Sequence, residues 1–437
     1  MIQSIKDNFN KELRVKLLNL IENRNFEEAS NLVDLNLTDE TKIDYKNKLK
    51  AFIFLKKQEW KTSLNFYQKI SEDSLDFETL NNYGIVLFKL GHFLKAAEKF
   101  EKSLSKNKNY IPSYENLVIS HKLIGNYDIS IKYILEVLKI DPSNIRLKNH
   151  LIDILNFHET KENENEIFEI NNEIKAQKIL YKNNIELENK ILKEILERSE
   201  QILSEKKVDL NYPQTQIYRR NELNLNCDRH LDIFKKHQII PKYCFSCFKV
   251  QITVKNVKDL VKLYFYFNKA NFKENNIRKC VVELRKKIKG NYKGYIFSQS
   301  LRDAEQIMKL TIQDLSKIPI IPEKIEIKHG CTEYYEKYKN YKNLDASSFH
   351  NIYKEKWEDI EKQYDELNFI KENNEQKIFN KTLNQFNLTD FLIIKNWFLY
   401  AKLINDNTYK EIYNFDINTN LLSEIEKEQI SSRIKNN

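Results

Sequence analysis

Six side chains able to hold a soft metal or attack a carbon centre fall in one stretch of the chain: Cys227, His230, Cys244, Cys247, Cys280 and Cys331. Cys227 and His230 leave two residues between them, as do Cys244 and Cys247, and thirteen residues separate the two pairs. A tight turn of that spacing lets both side chains reach one ion, and Zn2+ prefers four thiolate or imidazole ligands. The candidate set for a closed, structural zinc is Cys227, His230, Cys244 and Cys247, with Cys280 and Cys331 completing the shell in place of His230 or supporting it. With five thiols an iron-sulfur cluster, whose usual ligand is cysteine, is the alternative. The same residues would also serve as small buried hydrophobes, with His230 capping or packing a helix, so three readings stand open.

Catalytic signals are thin. Cys331 follows His329-Gly330, an order that admits a thiolate nucleophile beside an imidazole. Cys244-Phe-Ser-Cys247 leads into a strand, whereas a redox dithiol wants a helix terminus to lower its thiol pKa. No Gly-rich phosphate loop, GxSxG elbow or HExxH motif occurs.

The elements that must position these residues lie between 248 and 329. Residues 248–254 (FKVQITV) alternate as a strand, 256–269 are helical behind an Asn cap, and 278–285 and 292–299 read as strands around the turn KKIKGN. A helix over 301–315 and a strand over 323–329 follow. This βαββαβ order resembles the ferredoxin-like split βαβ fold, which implies an antiparallel sheet with spatial strand order 4-1-3-2. Cys244 and Cys247 then precede the first strand, Cys280 opens the second and Cys331 follows the fourth, so all four are expected at one end of the sheet.

The charge also concentrates there. The chain carries +9 overall, and residues 211–350 alone carry 27 Lys and Arg against 14 Asp and Glu, a net +13. So positive a region attracts anions: nucleic acid, nucleotides or acidic protein surfaces. Candidate anion-binding residues are Lys249, Arg285, Lys286, Lys287, Lys289 and Lys293. Lys293-Gly294-Tyr295-Ile296-Phe297 resembles part of the RNA-recognition-motif octapeptide, which implies Tyr295 and Phe297 on one face as base-stacking aromatics. Ile296 stands where that family has Gly or Ala, and Ser300 replaces an aromatic.

The first third of the chain is periodic. Leu80, Tyr83, Gly84, Leu87, Gly91, Phe93, Ala96 and Phe100 are matched 34 residues later by Tyr114, Leu117, Val118, His121, Gly125, Tyr127, Ser130 and Ile134, and Asp141-Pro142 closes the unit. Trp60, Ser63 and Tyr67, and before them Phe26, Ala29 and Val33, keep the same relative spacing. The pattern resembles the tetratricopeptide repeat, with four repeats from about 10 to 144 and a capping helix over 145–157. The resemblance implies a groove that binds a protein or peptide.

Residues 164–205 carry apolar positions at helical spacing and read as one long amphipathic helix that packs within the chain. From 346 the chain is again helical, with Trp357, Phe386, Leu392, Ile393, Trp397 and Tyr400 as core candidates. The fold class expected is therefore α+β, mostly helical: a repeat solenoid (1–160), a linker helix (161–210), a Cys/His-containing α/β domain (211–345) and a C-terminal helical region (346–437). An uneven count of 5 cysteines fits reduced thiols, and no run is apolar enough to span a bilayer, which points to a cytoplasmic protein. The first functional expectation is an adaptor that binds a protein through its repeats and an anionic partner through the basic domain. The alternatives are a metal- or cysteine-dependent enzyme at the cysteine end of the sheet, or an RNA-binding adaptor.

Overall fold

The computed structural model describes residues 11–160, 165–177, 188–208, 210–219, 225, 227–270, 272, 276–285, 288–343, 353, 355–368, 382–383, 385–417 and 430–431. Lys286 and Lys287 lie outside them. The chain divides into two compact units, residues 1–147 with 362–378, and residues 148–361 with 379–437.

In the first unit, antiparallel helix pairs follow one another: Lys11–Glu22 with Phe26–Asn36, Ile43–Lys57 with Trp60–Tyr67, Phe77–Lys89 with Phe93–Lys106, and Ile111–Leu123 with Tyr127–Ile140. One position of the second helix in every pair is small: Ala29, Ser63, Ala96 and Ser130 are all fully buried. Small side chains there let the paired backbones approach closely, and where the residue is serine its hydroxyl satisfies a carbonyl of the facing helix. Ser63 Oγ donates to the Ala51 carbonyl at 2.7 Å and Ser130 Oγ to that of Val118 at 3.1 Å. Four residues on, Val33, Tyr67, Phe100 and Ile134 fill the seam. Gly84 is the complementary device: a Cβ there would lie 2.5 Å from the Phe100 ring, so the ring occupies the space a side chain would take.

From Lys148 onward the helix Ile145–Leu155 belongs to the second unit. In the helix expected to cap the repeats, Leu151, Ile152, Ile154 and Leu155 are all buried, and the Ile152 carbonyl accepts the Thr389 hydroxyl at 2.7 Å. The segment expected to be one long helix is two, Glu166–Ala176 and Asn189–Lys206. They run antiparallel, since Gln177 bonds Ser199 at 3.0 Å while Lys206 bonds Glu169 at 2.6 Å. Folding back lets Ile167, Ile170 and Ile174 meet the apolar stripe of Leu192, Ile195 and Ile202, which a single extended helix would leave wet.

The sheet of the second unit has five strands: β1 (Gln216–Arg219), β2 (Phe248–Val254), β3 (Arg278–Val282), β4 (Tyr292–Ser298) and β5 (Pro322–His329). They lie in the order β1-β3-β4-β2-β5, with every pair antiparallel. Its last four members keep the 4-1-3-2 order read from the sequence, and β1 is an added edge strand. Phe248, Val250, Ile252 and Val254 point to the helix-covered face, and all are buried.

The helix Leu388–Leu403 is apolar nearly all round, with Phe391, Leu392, Ile393, Ile394, Trp397 and Phe398 each at most 4% exposed, so it has to be covered on every side. It packs against β1, the helix Val257–Lys269 and the helix Glu166–Ala176. Its first turn receives a buried polar knot. The Arg219 guanidinium donates to both Asp390 carboxylate oxygens at 3.1 Å and 2.6 Å, and Tyr264 Oη donates to the same carboxylate at 2.7 Å.

Candidate metal centre and basic sheet face

Four thiols reach one place by three different routes. Cys227 is the first residue of the helix Cys227–His237. Cys244 sits in the 3-10 turn Lys242–Ser246, which Pro241 opens, and Cys247 closes it with its N–H donating to the Cys244 carbonyl at 3.3 Å. Cys331 arrives from the far edge, because Phe248 of β2 pairs with His329 of β5 and the Gly330 N–H then donates to the Cys247 carbonyl at 2.7 Å. Gly330 adopts φ +53, in the left-handed region, and a Cβ there would strike the Tyr341 ring. Only glycine makes that bend without strain, and the bend is what delivers Cys331 beside Cys247.

Cys227, Cys244, Cys247 and Cys331, together with His230, line one cavity of about 10 Å³. Cys331 raises the proton affinity of Cys227, Cys244 and Cys247, Cys227 raises that of Cys244 and Cys247, and Cys247 that of Cys244, so the four lie within electrostatic reach of one another. Burial is the larger influence: it pushes the Cys227 thiol up to about 11 and the Cys247 thiol up to about 12, and raises Cys244 and Cys331 as well. Cys227 keeps one side exposed at the rim, while Cys244 and Cys247 are buried. Among the described residues no three His, Cys, Asp or Glu side chains already stand as a formed ligand shell. Burial keeps the four thiols protonated around this small cavity.

Two expected members differ. Cys280 does not join the cluster: it lies inside β3, opposite Gly294, fully buried, and the charges it senses are those of Arg219 and Arg278. Strand β3 begins at Arg278, so Cys280 is two residues into the sheet, and β4 separates β3 from β2. At about 4.8 Å between neighbouring strands, that is some 10 Å of lateral distance. His230 lines the cavity, but its ring stacks on Tyr243 with centroids 5.3 Å apart.

A surrounding layer holds the cluster. Tyr334 Oη lies 3.3 Å from Cys244 Sγ, and Tyr341 Oη donates to the Cys244 carbonyl at 2.6 Å. The His329 ring nitrogens lie 2.8 Å and 2.9 Å from the carbonyl oxygens of Tyr341 and Phe245. His329 is therefore committed to the backbone and is not the base of a Cys331 nucleophile. Raised thiol pKa values likewise oppose a thiolate attack at neutral pH. The aromatic residues of this layer, Phe245, Tyr334, Tyr341 and Tyr353, were not legible as site components, since tyrosines in a Tyr-rich chain carry no spacing signal.

The opposite face of the sheet is a charged lattice. Lys249 and Lys279 hold their ammonium groups 5.4 Å and 6.0 Å from the Tyr295 ring centroid, and Lys279 also lies 5.2 Å from that of Tyr218. Tyr295 is 7% exposed and its ring is already taken by these cations, so it is not the free stacking surface that the RNA-recognition resemblance implies. Lys293 is fully buried and pairs with Glu283 at 3.7 Å, which removes it from the anion-binding candidates. Burial acts to raise the Glu283 carboxyl, but hydrogen bonds and charge from Arg285 outweigh it and bring the group down to about 2. Arg285 is also engaged by Glu333 at 3.1 Å. Lys289 remains exposed and Lys249 half-buried.

A larger cavity of about 170 Å³ lies between residues 210–215 and the helix Leu388–Leu403. Its lysine, Lys395, is paired with Glu200 at 2.8 Å, and no cluster of nucleophiles or ligands faces it.

No known protein-family model matches the chain, and no curated protein does. Among solved structures it is similar to one described as "Structure of Naa15/Naa10 bound to HypK-THB", with TM-score 0.30 and 12% identity over 97% of this chain. The chain spans about half of that one, 51% of its length. A likeness of this size fixes neither fold detail nor function. Among the described residues no helix is long and apolar enough to cross a membrane.

Proposed function

We propose that the chain is an interaction protein of the adaptor kind. Its repeats, read as tetratricopeptide-like, bind a protein or peptide. Its sheet domain, read as ferredoxin-like with one added edge strand, meets an anionic partner through Lys249, Lys289 and their neighbours. The observation that supports this best is the run of helix pairs whose seams are closed by their own residues Ala29, Ser63, Ala96 and Ser130. Leu35, Leu94 and Ile129 are exposed at 78%, 46% and 40%. Five free thiols fit a reducing compartment such as the cytoplasm.

The test places a photoreactive residue at Ile85, Ile119 or Lys328 of the full chain in its own cells. A single protein adduct from Ile85 or Ile119, lost when Leu94 and Ile129 are both changed to Glu, is the expected outcome. Adducts from Lys328 alone would contradict the solenoid's role, and nucleic acid cross-linked there would favour the RNA-binding alternative.

A further inference from the structure

The geometry points to a single zinc ion held by the four thiolates of Cys227, Cys244, Cys247 and Cys331, with His230 and Cys280 outside the shell. This assignment stands apart from the adaptor reading and survives its failure.

Four observations carry it. The four thiols line one cavity, and its volume of about 10 Å³ suits one atom-sized guest and not a multi-iron cluster. They come from a helix start, a two-residue turn and a strand end, the arrangement by which separate chain segments are tied by an ion. Cys280 is absent from the lining of that cavity and lies inside β3, opposite Gly294 and fully buried. His230 lays its ring on Tyr243, and four thiols suffice in number for a tetrahedral ion without it.

Binding replaces four S–H bonds with four S–Zn bonds, and four protons leave to solvent, so affinity rises with pH. The shell closes by rotation of the thiols toward the void, since none of them is yet grouped as a shell among the described residues. The resulting centre carries two negative charges. Lys249 faces Cys227, Cys247 and Cys331 and favours their ionised forms, and Lys279 does the same for Cys227 and Cys331. Tyr334 Oη stands where it can donate to the Cys244 thiolate.

The experiment measures metal content of the full chain purified from zinc-supplemented cells, then exchanges the metal for Co2+. About one zinc per chain and a cobalt spectrum with thiolate charge-transfer bands and tetrahedral d–d intensity are expected. Cys280→Ala and His230→Gln keep the stoichiometry and the cobalt spectrum. Cys227→Ser and Cys331→Ser lose at least about tenfold in competition against a chelator. Less than about half an equivalent of zinc, with four thiols free to titrate, overturns the assignment. So does iron with cluster absorption, or a His230→Gln loss equal to that of Cys331→Ser. The wild-type cobalt spectrum decides the matter even where a serine variant fails to fold.

Discussion

The helix-pair unit and the sheet unit hold themselves together by different physics. In the first, every pair repeats one solution, a small residue at Ala29, Ser63, Ala96 or Ser130 followed on the same face by a large one four residues on, and each seam is closed by local contacts. In the second, residues far apart in the chain meet once: Arg219 with Asp390, Cys227 with Cys331, Phe248 with His329. A repeat can lose one seam and keep the rest. The sheet unit has no spare copy of any of its contacts.

The largest effect that would separate the two is at the buried ion pair. Asp390→Ala leaves the Arg219 guanidinium, 1% exposed, without its carboxylate and should destabilise the sheet unit by about 3–5 kcal/mol. Denaturant unfolding followed by the emission of Trp397, with Trp357 changed to Phe, measures it. A loss under about 1 kcal/mol would show that the knot is dispensable. Gly84→Ala is the corresponding change in the repeats. It forces a Cβ against Phe100 and should cost about 1–3 kcal/mol, with lost amide protection confined to 77–106. Loss of protection across 43–140 instead would mean that the repeats do not fail locally.

Acidity sharpens the contrast further. In the metal-free protein Cys227 and Cys247 titrate at about 11 and about 12, above the roughly 8.5 of an unfolded thiol. The folded state therefore binds more protons than the unfolded one between those values. Stability is fully present below about pH 8.5 and falls as pH rises, by roughly 2 kcal/mol between pH 8 and 10 for the buried Cys247, with a solvent-screened further share from the exposed Cys227. With zinc bound the native thiolates hold no protons, the sign reverses, and stability is lost as pH falls. Urea midpoints at pH 7 and pH 10, with and without metal, display both slopes. The smallest effect is Ser63→Ala, which removes one bond to the Ala51 carbonyl and should cost about 1 kcal/mol. Melting of the far-ultraviolet circular dichroism should shift by only a few degrees.

What could be read from the sequence follows the same division. The repeats were legible because a 34-residue period exposes the small and large positions together, and the strands of 248–329 because alternation and turn residues mark each one. Their order followed from topology alone. Cys280 was misplaced although the strand start at 278 was read correctly: it lies two residues inside β3, and β4 separates β3 from the strand that Cys247 precedes. Strand β1 was missed: QIYR is four residues long, too short for alternation to show. The fold-back of 166–206 was hidden because an apolar stripe at helical spacing looks the same in one helix as in two. Tyr334, Tyr341 and the Gly330 bend become site residues only through contacts that span the chain.

The central claim, that the sheet unit depends on a metal at four thiols while the repeats do not, is tested most directly by amide hydrogen exchange of the zinc-loaded and chelated full chain. Removal of the metal should strip protection from residues 227–254 and 325–341 and leave 77–140 unchanged. Equal protection in both states across 227–254 would contradict it.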